Sequence, residues 1–63
     1  MKLSPREVQL ADAVMHGKSN GAIAAELGIS VSTVREYLSR LYQKVGVGSR
    51  TGLAVWEYER KKG

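Results

Sequence analysis

Residues 20–40, NGAIAAELGISVSTVREYLSR, leave this chain few folds to choose from. Ile23 and Leu27 lie four apart on one helical face, with the small Ala24 between them where a second helix must approach closely. Gly28 follows where a left-handed backbone stops that helix, and Ile29 supplies an apolar plug. Ser30 is a good N-cap, and Val34, Leu38, Leu41 and Val45 fall at i, i+4, i+7 and i+11, the stripe of a second helix facing a core. Gly46 ends it. A turn of this kind sets its two helices roughly 90 to 120° apart, so the outer side of the second one projects away from the core.

The rest of the chain reads as two more helices, with no repeat, low-complexity segment or strand pattern. Ser4-Pro5-Arg6-Glu7 is a capping box: Ser4 accepts from an early backbone N–H, Glu7 reaches back, and Pro5 sits where a missing donor costs nothing. The expected architecture is an all-α, four-helix, single helix-turn-helix domain spanning 1–63, with helices over about 5–16, 20–27, 31–45 and 50–61. Ser19 and Ser49 are the N-caps of the second and fourth, and Gly17 is expected as the C-cap of the first. The third is about 22 Å long at 1.5 Å per residue, enough to cross a nucleic-acid groove. Two apolar stripes compete on the first helix. Leu10, Ala13 and Val14 are assigned to the core with Leu3, while Val8, Ala11 and Met15 form a competing second stripe outside it, of which Val8 and Met15 read either as scattered surface residues or as a patch that another protein covers. On the fourth helix Leu53 and Trp56 close the core, and Thr51, Val55 and Tyr58 line the other face.

A chain of 63 residues buries only about 60% of its unfolded surface, so stability is marginal and a partner is expected to help. The absence of cysteine excludes disulfides and thiolate zinc sites, and one histidine excludes a histidine metal cluster; no cofactor is expected. His16, just before Gly17, reads as a helix-end residue complementing the dipole. No nucleophile–base pair, phosphate-cradling glycine loop or carboxylate cluster points to an enzyme. No apolar run approaches the ~18 residues of a membrane span, and no signal-peptide pattern opens the chain, which fits the cytoplasm beside the nucleoid. The net charge is +4, and all of that excess lies in residues 29–63; residues 1–28 are neutral. The basic half contains the third helix, whose outer side fits a DNA major groove, and a polyanion is the natural partner.

Read together, LSPRE at 3–7, G-x-SN at 17–20, IAAxLGIS at 23–30, STV at 32–34, Lys44-Val45-Gly46-Val47 and SRT at 49–51 resemble the LuxR-type helix-turn-helix domain, also called GerE-like or NarL/FixJ-like. The resemblance runs from Leu3 to about Trp56. It implies a four-helix bundle that binds double-stranded DNA as a homodimer, with the third helix in the groove and the fourth at the dimer contact, through Thr51, Val55 and Tyr58 here. It also implies phosphate contacts from Thr33 and Lys44, joined by Ser19, Asn20 and Arg50 as further candidates, chemistry suited to hydroxyls, amides and cations. Arg35 stands where the family places a groove-entering basic residue, and a guanidinium pairs with guanine O6 and N7 through two parallel hydrogen bonds. Ser32, Glu36, Ser39, Arg40 and Gln43 share the face opposite the core stripe and complete the base-reading candidates.

Several residues depart from that pattern. Glu36 brings a carboxylate to a groove-facing place, where it accepts from cytosine N4, is repelled by phosphate, or pairs with Arg40 one turn on for ~0.2–0.5 kcal/mol. Tyr37 replaces a frequent histidine, Gly21-Ala22 a charged pair, and Gly52 a common glutamate or glutamine; Gly52 costs ~1 kcal/mol within a helix unless it allows a close helix crossing. These departures, with the Val8 and Met15 stripe, motivate an alternative: an interaction module that heterodimerises with, or antagonises, a larger regulatory protein. A promoter-recognising fragment of a sigma-like factor fits the short fourth helix less well. Relatives mostly carry this domain behind a receiver or ligand-binding domain, whereas Met1 here stands two residues before Leu3. The sequence is therefore compatible both with a stand-alone regulator and with a piece of a longer one.

Overall fold

The computed structural model describes residues 2–63, which form four helices: α1 (Pro5–Met15), α2 (Asn20–Leu27), α3 (Val31–Val45) and α4 (Arg50–Lys62). Each begins at a serine whose hydroxyl accepts a backbone N–H three residues on: Ser4 from Glu7, Ser19 from Ala22, Ser30 from Thr33 and Ser49 from Gly52. Each such cap contributes about 1 kcal/mol. The reciprocal half of the capping box is present too, since the Ser4 N–H donates to Glu7 Oε1 at 2.8 Å. The C-cap of α1 is His16 rather than the expected Gly17, which follows one residue on at φ 77°.

The turn between α2 and α3 depends on Gly28, which adopts φ 68° and ψ 34°. In that conformation its own N–H and that of Ile29 both donate to the Ala24 carbonyl, so the open end of α2 is satisfied within the turn. A side chain at Gly28 would meet nothing, and glycine is required there for its backbone alone. Gly52 is needed for space: a Cβ added there would lie 3.1 Å from the Cβ of Val47. The close approach that this glycine allows is that of the α3–α4 loop.

The core joins Leu10, Ala11, Ala13 and Val14 of α1, Ile23 and Ala24 of α2, Val34, Leu38 and Leu41 of α3, and Leu53 of α4. α1 packs most extensively on α4, and α2 on α3. The assignment of Ala11 to a surface stripe is corrected: it is wholly buried, while Val8 and Met15 are half-buried. α1 lies against both α3 and α4, so more than one of its stripes is covered. Trp56 is half-buried rather than central, with the Arg60 guanidinium 5.8 Å from its ring centroid.

The seam between α1 and α4 also contains a charged residue that sequence patterning passed over. Glu57 is 0% exposed, and Arg60 satisfies both carboxylate oxygens, Nε to Oε1 at 2.7 Å and Nη2 to Oε2 at 3.0 Å. That pairing raises the Arg60 pKa above its ordinary value. Lys61 pairs with Asp12 across the same seam, and this hydrogen bond, helped by His16 and Lys18 nearby, lowers the Asp12 carboxyl below its usual range.

Candidate nucleic-acid interface

The third helix divides its circumference by polarity. Val34, Leu38 and Leu41 are buried, while Ser32, Arg35, Glu36, Ser39, Arg40 and Gln43 are all exposed. The predicted base-reading candidates thus share one outer face. Arg35 enters no ion pair among the described residues. Glu36 and Arg40 do pair, at 3.3 Å, with side chains 68% and 74% exposed, so water screens the contact and a competing partner displaces it easily.

Most of the phosphate candidates are already engaged within the protein. Ser19 is the cap of α2. Thr33 Oγ1 lies 2.9 Å from the cap hydroxyl of Ser30, which locks the first turn of α3. Arg50 donates to Asn20 Oδ1 at 2.7 Å and to the Lys18 carbonyl oxygen, fastening the start of α4 to the start of α2. At the other end of α3, Lys44 Nζ donates to Glu7 Oε1 at 2.8 Å. This is the same oxygen that accepts the Ser4 N–H. The lysine first, and then the Ser4 N–H, hold the Glu7 carboxyl below its usual range. Glu7 was legible only as a capping residue, because its second partner is 37 residues away in the chain.

On α4, Thr51, Val55 and Tyr58 are all exposed, and Val55 and Tyr58 are 56% and 58% accessible. This apolar pair lies on the helix face opposite the buried Leu53. His16 donates from Nδ1 to the Asp12 carbonyl at 2.8 Å, closing the end of α1 as a helix-end residue should.

The sequence that forms these four helices matches a known family. The sequence model of the family described as "Bacterial regulatory proteins, luxR family" (GerE) matches residues 1–57. The chain belongs to that luxR family. As in its LuxR-type helix-turn-helix domain, the fold is all-α. Among curated luxR-type relatives, the chain is 45% identical over 53 residues to "Response regulator Rre1" of Synechocystis, covering 84% of this chain and 23% of that protein. It is 43% identical over 60 residues to "Probable transcriptional regulatory protein NarL" of Mycobacterium tuberculosis, covering 95% of this chain and 27% of that one. It is 40% identical over 48 residues to "HTH-type transcriptional regulator MalT" of Serratia proteamaculans, covering 76% and 5% respectively. The chain therefore spans about a quarter or less of the length of these relatives. Among the described residues, no helix is long and apolar enough to cross a membrane.

Proposed function

We propose that this chain is the sequence-reading domain of a transcriptional regulator, with α3 entering the major groove of double-stranded DNA and two copies pairing through α4. The observation that carries the reading is the division of α3: a buried apolar stripe fixes the helix, and an exposed row containing Arg35 faces outward. A helix held by its back and polar on its front is what a groove accepts, and Arg35 is the base reader of first choice, for guanine. Ser32, Glu36, Ser39 and Arg40 are its neighbours in that role. Ser19, Asn20, Thr33, Lys44 and Arg50 supply the phosphate contacts. The engagement of Lys44 and Arg50 with the protein does not oppose this, because an ammonium carries three N–H donors and a guanidinium five, leaving donors over for a phosphate. Thr51, Val55 and Tyr58 form the homodimer contact, which places the two recognition helices about one helical turn, ~34 Å, apart on a near-palindromic site. Such a regulator works in the cytoplasm, at the nucleoid.

The competing reading, an interaction module for a larger regulator, has less support: Gly52 makes room for Val47, and Val8 and Met15 are half-buried. Titrating a labelled random duplex with the chain at increasing salt tests between the two. Binding in the micromolar range at low salt that weakens steeply as salt rises is the expected result. No binding at low salt overturns the proposal in favour of the interaction module.

A further inference from the structure

A cleft of about 190 Å³ opens between the first turns of α1 and the middle of α3, lined by Arg6, Glu7, Leu10, Tyr37 and Arg40. Here α1 packs on α3 less extensively than it packs on α4. Leu10 is a buried core residue, so the cleft has an apolar floor, while two guanidinium groups from different helices stand at its edge. The neighbouring charges do not cancel. Glu7 is taken up by Lys44 and the Ser4 N–H, and Glu36 reaches Arg40 only through an exposed contact. Arg6 is exposed and forms no ion pair among the described residues. Arg6, Glu7 and Arg40, the charged residues that line the cleft, leave it one formal positive charge over.

We propose that this cleft seats a backbone phosphate of the DNA strand running along the α1 side of the recognition helix, with Arg6 as its principal ligand and Tyr37 beside it. The inference rests on the reading of α3 as the groove helix. An α-helix in a major groove is walled on both sides by phosphates. The turn with Ser19, Asn20 and Arg50 serves one end of the site, while the cleft adjoins the α3 surface that bears Arg40 and Lys44. The continuity of the cleft with that surface favours a phosphodiester as its occupant. Arg6 suits the task because a guanidinium presents two parallel donors to phosphate oxygens.

The test compares Arg6→Gln with Lys62→Gln, which removes the same charge at the far end of α4. Binding is measured on a site selected from a random duplex pool and on random duplex. Arg6 is exposed, so Arg6→Gln should keep the thermal midpoint of the parent chain. It should weaken binding on all sequences alike and lower the slope of log affinity against log salt by about 0.9, while Lys62→Gln leaves that slope unchanged and Arg6→Lys restores it. Neutral methylphosphonates placed singly along the site should identify one phosphate whose neutralisation weakens the parent chain and does nothing further to Arg6→Gln. An unchanged slope for Arg6→Gln, an equal loss in Lys62→Gln, or no such phosphate overturns the seat while leaving the groove reading intact. If the parent chain binds no duplex at low salt, the groove reading itself fails, and the seat with it.

Discussion

α3 and α4 are built alike and finished differently. Each is an amphipathic helix of similar length, serine-capped and anchored by leucines, Leu38 and Leu41 in one and Leu53 in the other. The outward side of α3 carries Ser32, Arg35, Glu36, Ser39, Arg40 and Gln43, whereas that of α4 carries Val55 and Tyr58. Hydrated charges gain most from a polyanion, where each contact releases counterions, and apolar side chains gain most from being covered. The difference teaches that the two exposed surfaces of this small domain suit different kinds of partner, and under the proposed function these are DNA for α3 and a second copy of the chain for α4.

The contrast breaks altogether if α3 loses its footing. Leu41→Ala removes a wholly buried side chain from beneath it and should lower stability by about 2–5 kcal/mol, read as a fall in the thermal unfolding midpoint. An unchanged midpoint would mean that α3 is not held from behind. Val55→Asp tests the other helix. It should leave folding intact and convert a dimer to a monomer in sedimentation, and identical monomers for parent and variant would remove α4 as the pairing surface. Arg35→Ala and Lys44→Ala sharpen the α3 half: the first should cost about 1–3 kcal/mol on the preferred site and relax one base position, while the second should weaken every sequence equally and reduce the salt slope by about one. Equal losses on all sequences from both changes would deny Arg35 its role as a base reader.

The smallest expected effect is one of pH and concerns how α1 is tied to these two helices. Glu7 reaches Lys44 of α3 and Asp12 reaches Lys61 of α4, and both carboxyl pKa values are lowered in the folded chain. A group whose folded pKa lies below its unfolded one contributes stability above the unfolded value and loses it as pH falls through the folded one. Unfolding midpoints should therefore decline below about pH 4, and the decline should be shallower in the double variant Glu7→Gln, Asp12→Asn. The same slope in parent and variant would show that these pairs are too exposed to matter.

What could be read from the residues alone was what local chemistry encodes. All four serine caps, the capping box and the glycine ends of α2 and α3 involve partners within a few residues, and they stand where the sequence puts them, with helix ends differing by at most one residue. The Glu36–Arg40 pair was legible for the same reason. Contacts that close the tertiary structure left no such mark. Arg50 meets Asn20 over 30 residues, Lys44 meets Glu7 over 37, and Lys61 meets Asp12 over 49. Nothing local marks Glu57 as interior, because only packing places it there. Ala11 was misassigned because a helix flanked on two sides has no single apolar stripe to find.

The fastening of Arg50 to Asn20 and to the Lys18 carbonyl has a consequence for a pair of copies. It makes the root of α4 and the root of α2 one stiff joint within each copy. Two copies joined along α4 would thus act as callipers, whose jaw opening is set at the hinge and passed without slack to the tips. Spacers of the wrong length between half-sites would then be rejected by the frame of the molecule before any base is inspected.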